Sequence, residues 1–448
     1  KNPAGQTTLR GQLSVLLGQA AFFDQQFDKA VTCSLESLHS LSPEWRYVRG
    51  GAQIYLGLAM QASGRSAEVM QMLTEEYGTA RDKSDGYALR ILIAICFVHY
   101  MNGDMELLQR TAQVLVNTAV DRPPGIPQGW GHYVLGVVYY QWNQLEAAAT
   151  QFGVAIELRF SAQALIGRAS YIGLTLTHLA GREADEASAV LSNLSEYDLT
   201  LLSAESGMTH SLRAALYLAT GRTADAAHWA KTQRASALSQ PLLWLDEPAL
   251  TWARILIARH RPGDAEAALA RLNELQDQAE RAHNQLFQVQ LLALRAWALS
   301  LVTPPRAIEA LADLERAVAL AAPSNRVQPF LAIGQPVADL LQQLADSHGS
   351  GEREFIAHLL EQFSKPETGA TTAPARSGLR HVEPHTMRAQ DVLVLMRQRL
   401  TDKEIAQRLN ISVQTARRHA SNIYVKLGVS RRWDAVSLAE EYGLFPPG

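Results

Sequence analysis

The sequence predicts an all-α protein, a long stack of helix pairs followed by a short four-helix domain, and three observations carry that prediction. No stretch combines alternating apolar residues with β-branched enrichment, so no strand is expected. Breaks between helices recur at a nearly fixed interval through the first three quarters of the chain. The final stretch, from about Thr386 to Phe445, then carries dense helix-capping signals.

The recurring unit is an apolar helix, a break at Gly or an equivalent, and a second helix rich in Ala. Clear copies are Ala62-Ser63-Gly64-Arg65, Ala180-Gly181-Arg182-Glu183 and Thr220-Gly221-Arg222-Thr223. Weaker ones are Met101-Asn102-Gly103-Asp104 and Arg261-Pro262-Gly263-Asp264, while Trp142-Asn143-Gln144-Leu145 and Thr303-Pro304-Pro305-Arg306 lack Gly at the break. Positions 64, 103, 143, 181, 221, 263 and 305 step by 38 to 42 residues, and a break at Gln26 extends the series backwards to eight. Gly just past a helix supplies the left-handed φ that ends it without a Cβ clash. A helix pair hides only part of its apolar face, so neighbours must stack. The expected product is an α-solenoid, a superhelix of tetratricopeptide-like pairs with a period a few residues longer than standard.

Composition fits this plan. The 448 residues are 47% hydrophobic and 19% charged, enough to bury sizeable cores and too apolar for a disordered chain. Two cysteines, Cys33 and Cys96, cannot form a disulfide framework, read as small buried hydrophobes, and fit a reducing compartment. The N-terminus lacks the apolar core of a signal peptide, and Ile91–Met101 is too short to span a bilayer, so a cytoplasmic protein without membrane contact is expected. The chain starts with Lys, which predicts a piece of a longer protein.

Its net charge of −3 hides an asymmetry. From Leu379 onward eleven Lys/Arg face seven Asp/Glu, leaving +4 on the tail and −7 on the rest. A basic end on an acidic body is the pattern expected when one domain alone touches phosphate. Between them, residues 364–380, rich in Pro, Gly, Ala and Thr, have no periodicity and read as a tether. The expected domains are a helical-repeat sensor over 1–363, a linker over 364–380 and a DNA-binding domain over 381–448.

Within the tail, Thr386 can cap a helix carrying Val392, Leu393, Leu395 and Met396. Thr401-Asp402-Lys403-Glu404 is a capping box opening a helix that buries Ile405, Ala406 and Leu409. Asn410-Ile411-Ser412 turns the chain, and Ser412 caps a helix that Gly428 stops. Ser430 can cap a last helix with Ala435, Val436, Leu438 and Ala439 facing inward. A short helix, a tight turn and a second helix form a helix-turn-helix, whose second helix enters the major groove and needs polar and cationic side chains outward. Gln414, Thr415, Arg417, Arg418, Ser421, Asn422 and Lys426 meet that need between inward Val413, Ala416, Ala420, Ile423 and Leu427. No acid occurs from Val413 to Lys426, where a merely solvated face would mix signs.

Lys403-Glu404-Ile405-Ala406, Leu409-Asn410-Ile411-Ser412, Thr415-Ala416-Arg417-Arg418-His419, Asn422 to Val429 and Ala435-Val436 together resemble the LuxR-type helix-turn-helix. The resemblance implies that Thr415, Arg417, Arg418, His419 and Lys426 face DNA, and adds Lys403 to the candidate contacts. It also implies dimerisation on DNA through the last helix, about Arg431 to Tyr442, with Arg432, Trp433 and Val436 as candidates. Two departures stand out: the family usually has Glu where Ala389 stands, and often Val at Ala416, which weakens the first cap and shrinks a core residue. A long-period solenoid ahead of such a tail resembles the large ATP-binding LuxR family, to which the maltose-regulon activator belongs. That resemblance implies an activator whose solenoid binds a small-molecule inducer or regulatory protein, which self-associates and recruits RNA polymerase at operator sites in double-stranded DNA.

The family's ATPase module is not expected in this chain, because no Gly-x-x-x-x-Gly-Lys-[Ser/Thr] loop exists in it. No nucleophile elbow, HExxH motif or paired-carboxylate signal points to an enzyme, and no cofactor or metal is expected. Trp130, Tyr133 and Tyr140, after the turn Pro123-Pro124-Gly125, are candidates to line a ligand pocket, the plainer reading being that they pack between helices. Trp244 to Pro248 with Trp252 is a second candidate of the same kind. The rival function is a scaffold whose solenoid binds protein partners, with DNA binding secondary.

Overall fold

The computed structural model describes residues 3–81, 86–119, 123, 125–232, 245–347, 352–364, 387–398, 400–409, 420 and 432–441. Every regular element among them is helical, with no strand. The chain divides into two compact units, Lys1–Gly369 and Ala370–Gly448. Among the described residues no helix is long and apolar enough to cross a membrane.

The first unit is a run of eight helix pairs. They are α1 (Pro3–Phe23) with α2 (Phe27–Ser40), α3 (Arg46–Ala62) with α4 (Ser66–Ala80), α5 (Gly86–Asn102) with α6 (Met105–Ala119), and α7 (Ile126–Gln141) with α8 (Leu145–Glu157). Then follow α9 (Ala164–Ala180) with α10 (Ala184–Leu202), α11 (Gly207–Ala219) with α12 (Thr223–Thr232), α13 (Pro248–Ala258) with α14 (Asp264–Arg281), and α15 (Gln285–Leu301) with α16 (Ala307–Ala321). Three shorter helices close the unit: α17 (Gln328–Leu331), α18 (Gln335–Asp346) and α19 (Arg353–Ser364).

The turn inside each pair explains the period. Left-handed φ occurs at Gln25, Gly64, Gly103, Asn143, Arg182, Gly221 and Gly263, which lie 39 to 42 residues apart. At six of these turns the next amide reaches back to the carbonyl five residues earlier, as in Arg65 N to Met60 O at 2.8 Å and Arg222 N to Tyr217 O at 2.8 Å. This is the Schellman closure, which satisfies carbonyls left over at a helix end. One register differs from the sequence expectation. Gly181 remains right-handed at φ −76, and Arg182 takes the left-handed place at φ 59. The eighth turn, at Thr303–Arg306, contains no left-handed residue.

Small residues set the spacing between pairs. Phe152 of α8 is fully buried, with Gly136 of α7 and Gly173 of α9 against its ring. A Cβ at either glycine would overlap that ring. Asp198 of α10, also fully buried, accepts from the Ser206 amide (2.9 Å) and the Thr209 hydroxyl (2.5 Å) and pairs with Arg168 (2.8 Å), tying α9 and α10 to the start of α11. Two large apolar clusters result, one over Ala21–Leu216 that also takes in Leu245, Ala282 and Leu286, the other over Leu250–Leu359.

The two clusters meet along a polar seam that brings distant pairs together. Gln61 donates to the His283 carbonyl (2.9 Å), and the His283 ring nitrogen Nδ1 lies 3.2 Å from the Ala62 carbonyl. Trp142 Nε1 donates to the Ser324 carbonyl (2.9 Å), the Met105 amide to the Ser324 hydroxyl (3.3 Å), and the Val327 amide to the Gln141 carbonyl (3.0 Å). Arg326, only 1% exposed, sits against Gly103 and donates to the carbonyls of Gln285 (3.1 Å) and Leu320. The turns of the second, third and fourth pairs thus face the segment 283–327.

Gly173→Ala tests the packing argument because two effects oppose each other. Alanine gains about 1 kcal/mol of helix propensity, while forcing a methyl into a filled core costs about 1–3 kcal/mol. The Phe152 ring is held from both sides, so overpacking should win and the urea midpoint of the first unit should fall. Phe152→Ala should cost about 3–5 kcal/mol. A stabilised Gly173→Ala variant would refute the close approach.

Candidate functional site

In the second unit, the described residues give α20 (Met387–Arg397), α21 (Asp402–Arg408) and α22 (Arg432–Glu441). Val392, Leu393, Leu395 and Met396 of α20 are buried with Ile405 and Ala406 of α21, Ala420, and Ala435 and Val436 of α22. Leu409 is half-buried. The capping box forms as the residues demand: the Glu404 amide donates to the Thr401 hydroxyl (3.4 Å), and the Thr401 amide to the Glu404 carboxylate (2.7 Å). The bond from the Thr401 amide, with a second from the Thr401 hydroxyl to the same carboxylate (2.7 Å), holds the Glu404 carboxyl below its usual range.

Of the sequence-predicted DNA contacts, Lys403 lies in the first turn of α21 and is exposed. Gln414, Thr415, Arg417, Arg418, His419, Ser421, Asn422 and Lys426 lie outside the described residues, as do Thr386, Ser412, Ala416, Gly428 and Ser430, while Ala389 lies in the first turn of α20. The three dimerisation candidates separate. Trp433 is 57% exposed and Val436 is 2% exposed. Arg432 turns inward: its guanidinium pairs with Asp402 (2.8 Å) and donates to the Leu400 carbonyl. It thereby joins the last helix to the start of α21 and to the end of the link from α20, a role that the run Arg431-Arg432-Trp433 does not signal in the sequence.

In the solenoid, the aromatic candidates divide as well. Trp130 and Tyr133 belong to a chain of edge-to-face rings, with Phe97–Trp130 centroids at 4.9 Å and Trp130–Tyr133 at 5.7 Å. Both are buried, and the cavity that they line with Cys96, Tyr100 and Leu115 measures about 10 Å³, room for at most one water. Cys96 is buried among them, while Cys33 is only half-buried. Tyr140, two turns further along α7, faces a different group. Burial pushes its hydroxyl up to about 12 against the pull of Arg254 and a hydrogen bond with Gln328, and Asp246 adds to the rise. Asp246 is 2% exposed, lies 3.6 Å from Arg254, and accepts from Thr251 (3.4 Å). Trp244 lies outside the described residues, and Trp252 donates to the Ala230 carbonyl (3.1 Å).

Two open grooves were not foreseen. One, of about 370 Å³, runs between α10 and α11 beside Asp185, Arg213, Tyr217 and Arg222. The other, of about 590 Å³, is lined by Gln25, Asp28, Lys29 and Ser63 on one side of the seam and by Arg281 and His283 on the other. Both volumes fall in the range of small-molecule sites. The walls of the first come from consecutive helices, while those of the second come from residues far apart in sequence, which periodicity alone does not bring together.

Residues 11–347 match the family described as the MalT-like TPR region, and residues 384–439 match the bacterial regulatory proteins of the luxR family. Among solved structures, the chain is similar to a Rap protein complexed with competence and sporulation factor, with 11% identity and a TM-score of 0.48 over 79% of this chain and 98% of that one.

Two measurements follow from this geometry. Arg432→Ala should lower the stability of the second unit by about 1–2 kcal/mol at any protein concentration, since the lost bonds are internal to it. A loss confined to concentration-dependent association would return Arg432 to a dimer surface. The second concerns Glu247, whose carboxyl is pushed from 4.5 up to about 7 by burial and by neighbouring Asp246, against Arg271. The folded state keeps a proton that the unfolded state releases, so this stabilisation is complete below about pH 4.5 and lost as pH rises through 7. Glu247→Gln should therefore melt above the parent at pH 8 and near it at pH 4.5; equal melting temperatures at pH 8 would contradict the shift.

Proposed function

Because the chain belongs to the family of MalT-like TPR regions and carries a luxR-family domain, we propose that it is a signal-responsive transcription activator. A luxR-type domain makes it a DNA-binding regulator; the activating role, the inducer and the partners are the proposed part. The solenoid senses a small-molecule inducer or a regulatory protein, and the tail answers by binding operator DNA, self-associating through α22 and engaging RNA polymerase. The single observation that carries this reading is the joining of a luxR-family match to a long helical-repeat unit in one chain.

The chemistry of the tail supports the assignment of roles. In this reading Lys403, exposed in the first turn of α21, meets phosphate, while Gln414, Thr415, Arg417, Arg418, His419, Ser421, Asn422 and Lys426 offer donors of the kind that base edges and backbone oxygens require. In the solenoid, the grooves beside Arg213 and across the seam offer the space for an inducer, whereas a ligand at Trp130 and Tyr133 has first to displace packed rings. No catalytic role is proposed for any residue.

An operator can be obtained by selecting bound duplexes from a random pool with the full chain. Arg417→Ala should then weaken the selected site by about 1–3 kcal/mol and relax preference at one base pair, if the guanidinium reads a base. Lys403→Ala should weaken all sequences alike and reduce the salt slope by about one. Undiminished affinity in Arg417→Ala would remove the recognition-helix assignment. Failure to select any duplex, with retained capture of a defined protein partner, would favour the scaffold reading.

A further inference from the structure

The seam between the turns of pairs two to four and residues 283–327 has a composition unlike the interfaces between successive pairs. Successive pairs meet through buried Ala, Leu, Ile and aromatic side chains. Across the seam the first cluster takes in Leu245, Ala282 and Leu286 from the later part of the chain, and beside them the two sides are joined by hydrogen bonds ending on backbone atoms. Such bonds contribute little net stability, because both groups bond to water when they part.

The glycines show that the contact is nevertheless a fitted one. Asn143 and Arg182 occupy the same left-handed turn position as Gly103 with φ of 56 and 59, so the turn itself tolerates a side chain. At Gly221 and Gly263 nothing lies within 4 Å of an added Cβ. At Gly103 an added Cβ would stand 2.6 Å from Nη1 of Arg326, and at Gly64 it would stand 2.8 Å from Nε2 of His283. Arg326 cannot swing aside freely, since it is buried and its guanidinium is held by two carbonyls. These two turns carry glycine for the seam as well as for φ.

We propose that the seam is a latch. The solenoid exchanges between a closed form, in which segment 283–327 rests on the turns at Gly64, Gly103 and Trp142, and an open form in which those contacts are released while each helix pair stays folded. Pair-to-pair packing is apolar, whereas the seam is largely polar and local, so opening breaks few contacts and withdraws only Ala282 and Leu286 from the first apolar cluster. The use of this equilibrium by a bound inducer or partner rests on the sensor reading above; the latch itself does not.

Hydrogen–deuterium exchange of the full chain tests it without DNA or ligand. The Val327 amide is the reporter, because its bond crosses the seam to the Gln141 carbonyl. Gly103→Asn keeps a residue suited to the left-handed turn but intrudes on Arg326, and Gly221→Asn places the same residue at φ 74 with open space around it. Peptides spanning 282–288 and 324–328 should exchange at least tenfold faster in Gly103→Asn, with 130–138 unchanged, and Gly221→Asn should match the parent. Trp142→Phe, which deletes a single donor to Ser324, should accelerate the same peptides to a lesser degree. Unchanged exchange at 324–328 in Gly103→Asn would overturn the latch. Uniformly faster exchange throughout the first unit in both Gly103→Asn and Trp142→Phe would also overturn it, making the seam part of one cooperative core. Neither result would bear on whether the tail binds DNA.

Discussion

The left-handed residue that ends the first helix of a pair is the constraint from which the large unit is built. At six turns the amide after it returns to the carbonyl five residues back, so the second helix of those pairs starts from the same local closure. Repeated pairs leave repeated apolar faces, and each face is covered only by the next pair. The buried ring of Phe152 between Gly136 and Gly173 shows how closely the faces then meet. Curvature follows from such small offsets added pair by pair. It brings residues 283–327 back to the turns at 61–64, 102–105 and 141–142, although those lie about two hundred positions earlier in the chain.

What the sequence displays of this plan is the part written locally. Gly64, Gly103, Gly221 and Gly263 mark their turns, because a left-handed φ favours glycine, and four such marks at near multiples of about 40 residues reveal the period. Gln25, Asn143 and Arg182 adopt the same φ without that signature, and at the fifth turn the visible Gly181 shifts the apparent break one residue from the real one. The seam is not written locally at all. Its residues, among them Gln61, His283, Ser324 and Arg326, are ordinary polar side chains whose meeting depends on accumulated curvature. For the same reason the groove across the seam could not be foreseen, whereas the Trp130–Tyr133 cluster was visible as aromatic density, with packing between helices already the plainer reading.

The tail divides along the same line. Thr401 and Glu404 form their box because both partners lie within one turn, so spacing alone foretells it. Arg432 depends on a partner 30 residues earlier, and its neighbours Arg431 and Trp433 suggest only a charged, amphipathic helix. On the proposed function, its pairing with Asp402 bears on DNA reading through position, not contact. Asp402 is the first residue of the helix that precedes the recognition segment, so the last helix and the start of the helix-turn-helix are fixed to one another through a single guanidinium.

That linkage bears on how a signal could reach DNA. If α22 is the surface through which copies associate, association and the placement of α21 share Arg432, and a change at one is felt at the other without any long relay. The first unit has its own version of such economy, since Arg326 holds the carbonyls of Gln285 and Leu320 while resting on the turn at Gly103. In both units a buried or half-buried arginine joins elements that the local sequence keeps apart, beside the apolar contacts they share. Arginine suits that task because its fork bonds to more than one acceptor and keeps its charge: burial draws Arg326 down to about 10, still above the neutral range. Helix pairs thus supply the rigidity of this protein, and the polar joints between distant elements are where its arrangement is open to change.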